Sequence, residues 1–116
     1  MTHFHHVNLG VAPGGIDGEA SWLVDVIGYR RLESPAEFPT ACWFEAADGT
    51  QIHLSQDPDH RPAARAHVAV VVDDVAALTA RLDQLSHPYQ TNERPEMTVV
   101  ICADPAGNRW ELRSRA

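Results

Sequence analysis

At 116 residues, with 44% hydrophobic and 22% charged side chains, the chain has the balance of one globular domain that can bury its own core. Nine arginines and no lysine stand against sixteen acidic residues; the net charge of −7 argues against nucleic acid, which demands a surplus of cations on one face. No apolar run approaches the roughly 18 residues of a membrane span, MTHFHHVNLG lacks the basic and apolar segments of a signal peptide, and Cys42 and Cys102 are too few for a disulfide framework, so a cytoplasmic protein with reduced thiols and no membrane partner is expected.

The first strand is predicted at His6–Val11, where HVNLGV alternates. The loop APGGIDG follows, and Asp17 is the expected N-cap of a helix running to Ile27. Ala20, Leu23, Val24 and Ile27 share one face of that helix. Gly28 is its expected stop. Tyr29–Glu33, Ala41–Ala46 and Gln51–Ser55 read as strands, the last two joined by a tight Asp48-Gly49 turn. The polar, proline-bearing segment 57–66 reads as a linker. The pattern then restarts with a strand at His67–Val72. Asp73-Asp74 cap a helix whose core face is Val75, Leu78, Leu82 and Leu85. A weak strand near Tyr89–Thr91, a β-branched strand at Thr98–Cys102, a turn at 104–107 and a last strand at Arg109–Arg113 complete the chain.

The two halves share one order of elements, and the likeness extends to residues. HVNLGV at position 6 parallels HVAVVV at position 67; GTQIHL at position 49 parallels GNRWEL at position 107; Cys42 and Cys102 fall in matching strands. This is a duplicated βαβββ unit. Each half opens its first strand with a histidine, His6 or His67, and centres its last strand on a ligand-type residue, His53 or Glu111. Two positions used twice give three imidazoles and a carboxylate, a set suited to one divalent ion of Zn, Ni, Mn, Co or Fe. Strand alternation sends Ile52, Leu54, Trp110 and Leu112 toward the helix. His53 and Glu111 then point the other way, beside Gln51, Ser55, Arg109 and Arg113. Of Trp43 and Phe44, one faces this side and the other faces the helix. His3, His5, His60 and His87 are expected to have no catalytic role, with His5 opposite His6, and the cysteines to pack as small apolar residues.

On HHVNLGV, WLVDVIGYRRLE, HVAVVVDDVAALTARL and above all DPAGNRWEL, nearly the whole chain resembles the vicinal oxygen chelate superfamily. That superfamily includes glyoxalase I, fosfomycin-resistance proteins, methylmalonyl-CoA epimerase, extradiol dioxygenases and bleomycin-resistance proteins. The resemblance implies an α+β fold in a single domain, 1–116. Module one spans about 3–56 and module two 67–115. The two form a cupped, partly open mixed-sheet barrel with helices on its outer face. It carries the family's ligand positions onto His6, His53, His67 and Glu111. Three departures stand out: VAPGGIDGEA inserts proline and glycines before the first helix, Gly10 replaces an arginine common in bacterial glyoxalase I, and His53 replaces the usual Glu or Gln. The implied function is a metal-dependent isomerase, lyase or dioxygenase acting on a small substrate chelated through adjacent oxygens. His53 and Glu111 would be catalytic, Trp43, Phe44 and Arg109 would meet the substrate, with Arg113 a second choice to Arg109, and the protein would be a homodimer. The alternative is a metal-free antibiotic-binding or small-molecule-binding protein that stacks its ligand on Trp43, Phe44 and Trp22.

Overall fold

The structure, a computed structural model, describes residues 1–115. The chain forms two units, Met1–Arg61 and Pro62–Ala116. Each holds one four-stranded mixed sheet and helical structure between its first two strands, so the fold is α+β with a repeated βαβββ order. No described helix is long and apolar enough to cross a membrane.

Unit 1 comprises β1 (His6–Val11), α1 (Ile16–Ser21), a π-helical segment (Trp22–Ile27), β2 (Arg30–Arg31), β3 (Cys42–Glu45) and β4 (Gln51–Gln56). The sheet order is β1-β4-β3-β2, with β1 and β4 parallel. Val7 lies beside Ile52 and Leu9 beside Leu54 on one face; Asn8 lies beside His53 on the other. The helix departs from expectation. Gly15, not Asp17, occupies the N-cap, and Asp17 sits in the first turn, where its charge still favours the helix N-terminus. From Trp22 the winding widens to i→i+5, as in the Gly28 N–H to Leu23 carbonyl bond. The widening rotates the buried face. Trp22 and Leu23 enter the core with Ala20, whereas Val24 is left exposed. Gly28 ends the segment in the left-handed region, at φ +98°. The strand expected at Tyr29–Glu33 narrows to two residues.

Unit 2 comprises β5 (His67–Val71), α2 (Val75–Gln84), β6 (Gln90–Arg94), β7 (Met97–Ala103) and β8 (Arg109–Arg113). Its order, β5-β8-β7-β6, mirrors unit 1, again with a parallel first pair. The Asp74 carboxylate accepts the Ala77 N–H and caps α2. Leu78 and Leu82 are buried. Leu85 is exposed, because the helix has already ended: His87 N–H bonds to the Leu82 carbonyl, Ser86 N–H bonds to that of Asp83, and Ser86 turns left-handed at φ +53°.

The β3–β4 and β7–β8 turns repeat one hydrogen-bond pattern. Ala46 N–H reaches the Thr50 carbonyl and Gly49 N–H that of Ala46; Asp104 N–H reaches Asn108 and Gly107 N–H reaches Asp104. Gly49 and Gly107 both sit at φ +87°, so the connection is a three-residue loop closed by a left-handed glycine, not the two-residue turn expected at Asp48-Gly49. In unit 2 the buried Asp104 ties this turn to the core. Its Oδ1 accepts the N–H groups of Ala106 and Asn108, and its Oδ2 accepts the indole N–H of Trp110 at 2.9 Å. Asp104→Ala strips an acceptor from three donors and is expected to lower the unfolding free energy by about 3 kcal/mol in urea denaturation, with Asp104→Asn recovering part of it. A loss below ~1 kcal/mol would show that the turn holds without the carboxylate.

Candidate functional site

Strand register gathers the sequence's candidates into one cluster per unit. In unit 1, His6, Asn8, Gln51, His53 and Ser55 share a face of the parallel β1–β4 pair, and antiparallel pairing sets Trp43 opposite His53. The rings stack in a column. His6 and His53 lie face to face at 3.9 Å between centroids and 10° between planes, and Trp43 covers the other side of His53 at 4.6 Å and 14°. His5 closes one end against His6, with the two Nδ1 atoms 2.9 Å apart. It was expected on the opposite face from His6, but it precedes β1 and so escapes strand alternation. Phe38 tilts against Trp43 at the other end. His53 Nε2 donates to Gln51 Oε1 at 2.8 Å. Burial in the column holds the His53 pKa below the ordinary imidazole value, and the neighbouring His6 and His5 push it the same way, so its neutral form is favoured.

Phe44 lies on the opposite face from Trp43 and is wholly buried, so of this pair it is Trp43 that offers surface to a ligand. A cavity of about 570 Å³ opens beside Trp43 and His53, with Asn8, Phe38, Cys42 and Ser55 among its walls.

In unit 2, Arg109, Glu111 and Arg113 share the face of β8 that carries His67, Ala69 and Val71 of β5. His67 Nδ1 donates to the Arg65 carbonyl at 3.0 Å, because a carbonyl can only accept. Its Nε2 faces Glu111 Oε1 at 3.9 Å. The other oxygen of Glu111 meets Arg113 at 3.4 Å, and Arg113 also reaches the Met97 sulfur. Arg109 makes no ion pair among the described residues and lines a second cavity, of about 520 Å³, with Tyr89, Gln90 and Ile101. The four expected ligands are thus described as two pairs, His6 with His53 and His67 with Glu111. No group of three or more His, Cys, Asp or Glu side chains is assembled for a metal among the described residues.

Sequence reasoning noted Gln51 and Ser55 as neighbours of His53 without giving them a role, and passed over Asn8 and Phe38. Parity already placed Asn8 on the His6 face, and two residues' spacing put Gln51 within reach of His53. Phe38, in an irregular loop between two prolines, left no periodic signal.

A family model described as the Glyoxalase/Bleomycin resistance protein/Dioxygenase superfamily matches residues 3–112. Among curated proteins, no sequence matches the chain. Similar solved structures include a glyoxalase family protein from Bacillus anthracis, 24% identical, with a TM-score of 0.87 over 100% of this chain and 97% of that one. A glyoxalase/dioxygenase from Nostoc punctiforme is 19% identical, with a TM-score of 0.82 over 98% and 91%. A fosfomycin resistance protein from Listeria monocytogenes is 16% identical, with a TM-score of 0.81 over 100% and 95%. At these identities the likeness is one of fold.

The two thiols differ in setting. Cys42 is half-buried, whereas Cys102 is buried against β8. Burial, with a further push from the Asp104 carboxylate, raises the Cys102 pKa from 9.0 to about 11. The folded chain keeps this proton after the unfolded chain has lost it. Its contribution to stability is therefore complete below pH 9 and is lost as pH rises toward 11, a span worth roughly 3 kcal/mol. Denaturation followed from pH 8 to 11 should show Cys102→Ala losing stability less steeply than the wild type, and a thiol reagent at pH 8 should reach Cys102 only in denaturant. Parallel pH profiles for the two proteins would refute the assignment.

Proposed function

Because the chain belongs to the Glyoxalase/Bleomycin resistance protein/Dioxygenase superfamily, we propose that it is a metal-dependent isomerase, lyase or dioxygenase. Its substrate would be a small molecule that presents two adjacent oxygens. One divalent ion, Zn, Ni, Mn, Co or Fe, would be held by His6, His53, His67 and Glu111. The observation that carries this reading is the His67–Glu111 pair. An imidazole whose Nδ1–H is committed to the Arg65 carbonyl turns its Nε2 toward a carboxylate oxygen 3.9 Å away. A shared proton or a metal ion would each join these two groups, and an imidazole oriented by a backbone carbonyl is the usual support of a metal-binding histidine. The stacked His6–His53 pair supplies the equivalent position in unit 1 with two more nitrogen donors.

When bound, such an ion would polarise a substrate carbonyl and stabilise an enolate or other oxyanion. The chain's own groups supply the rest. His53 donates Nε2–H to Gln51, which leaves its basic lone pair on Nδ1, the atom that would hold the ion or take a proton. Glu111 brings the carboxylate, its second oxygen steadied by Arg113. Arg109 is the group to meet a substrate anion, since Arg113 is engaged with Glu111. Trp43 would meet the substrate. We further propose a cytoplasmic homodimer.

The aromatic column favours one second reading, a metal-free protein that sequesters a small molecule on Trp43. Calorimetric titration of untagged protein with each metal separates the two. The enzyme reading expects about one equivalent bound, with His67→Ala and Glu111→Ala each weakening it by at least ~100-fold. Less than about a tenth of an equivalent for every metal tried would leave the sequestering reading. Light scattering at micromolar concentration should give twice the monomer mass, and a monomer would refute the dimer.

A further inference from the structure

The cavity of unit 1 has a chemical character that the metal hypothesis does not explain. Its one formally charged wall residue is the carboxylate of Glu37; no arginine lines it. Its recognition surface is aromatic. Trp43 is backed by His53, and Phe38 stands at 45° to the indole with ring centroids 6.2 Å apart. Phe38 is 59% exposed, so its ring is open to a ligand. It is not on a loose segment: its N–H bonds to the Pro35 carbonyl, its own carbonyl accepts the Ala41 N–H, and Ser34 Oγ donates to the Ala41 carbonyl at 2.6 Å. Two rings inclined like an open book are therefore held in advance at the mouth of a cavity of about 570 Å³, within the range of small-molecule sites. Between β1 and β4, Ser55 Oγ donates to Asn8 Oδ1 at 2.9 Å, which leaves the Asn8 amide N–H groups as neutral donors on the same wall.

We infer that this cavity is a subsite for a flat, uncharged ring of the ligand, with Phe38 and Trp43 as the residues that select it. An anionic group would face the Glu37 carboxylate there with no cationic side chain in the lining to offset it, and a saturated ring would lose the face-to-face contact that the rings offer. The inference rests on the reading that the Trp43–His53 face meets the ligand, and it does not depend on a metal.

The test compares three probes by calorimetry on the purified full chain at pH 7: 2-naphthol, its saturated counterpart decahydro-2-naphthol, and 2-naphthoate. We expect 2-naphthol to bind at least tenfold more tightly than either of the others. Of the three indole N–H signals in an NMR spectrum, 2-naphthol should shift that of Trp43 and leave those of the buried Trp22 and Trp110. Phe38→Ala, at an exposed position, should weaken 2-naphthol at least tenfold and leave decahydro-2-naphthol unchanged. Equal binding of the aromatic and saturated probes, preference for the carboxylate, or an unaffected Phe38→Ala variant would each overturn the inference. Ring preference without metal uptake would sink only the metal reading; metal uptake without ring preference would sink only this one.

Discussion

Everything at the site depends on the two-residue period of β4 and β8, the strands that lie inside each sheet between a parallel and an antiparallel neighbour. Ile52 and Leu54, like Trp110 and Leu112, are buried, and their burial locks the register. Once these four face the core, His53 and Glu111 have no choice of side. A slip by one residue would put an imidazole or a carboxylate into the core and a tryptophan into water, so the site is specified by the same alternation that stabilises the fold.

On this shared frame the two units carry different chemistry. The residue two before the ligand position is Gln51 in one and Arg109 in the other; the cross-strand partner is Trp43 in one and Ile101 in the other. Unit 1 therefore presents neutral, stacked rings, and unit 2 presents a carboxylate among guanidinium groups. A duplicated scaffold allows this division, because the backbone that aims each side chain is already present twice.

Much of the frame was legible in the sequence. β8 has the expected bounds, the Asp74 cap and the Gly28 stop stand where their residue types put them, and the repeat was visible in HVNLGV and HVAVVV. What could not be read depended on geometry between residues. The π-helical widening that buries Trp22 instead of Val24 leaves no periodic mark. Which of Trp43 and Phe44 faces His53 required the β3–β4 register, and the stacking of His6 on His53, with His5 edge-on to His6, required ring orientations. The orientation of the His67 ring hangs on one carbonyl, that of Arg65, which no residue type announces.

The cysteines carry a consequence of that register. They lie in equivalent strands but not at equivalent places: Cys42 pairs with Leu54, as Val100 does with Leu112, and Cys102 pairs with Trp110, as Phe44 does with Ile52. Going from unit 1 to unit 2, a small residue gives way to a larger one at the first place and a large ring gives way to a small thiol at the second. Two look-alike halves in one chain invite a folding error in which a strand of one pairs with the centre of the other. A β3 laid onto β8 would press the Phe44 ring onto Trp110 in space shaped for a thiol, and overpacking of that kind costs roughly 1–3 kcal/mol. The halves differ inside as well as at the site, and a strand laid in the wrong sheet would meet that mismatch.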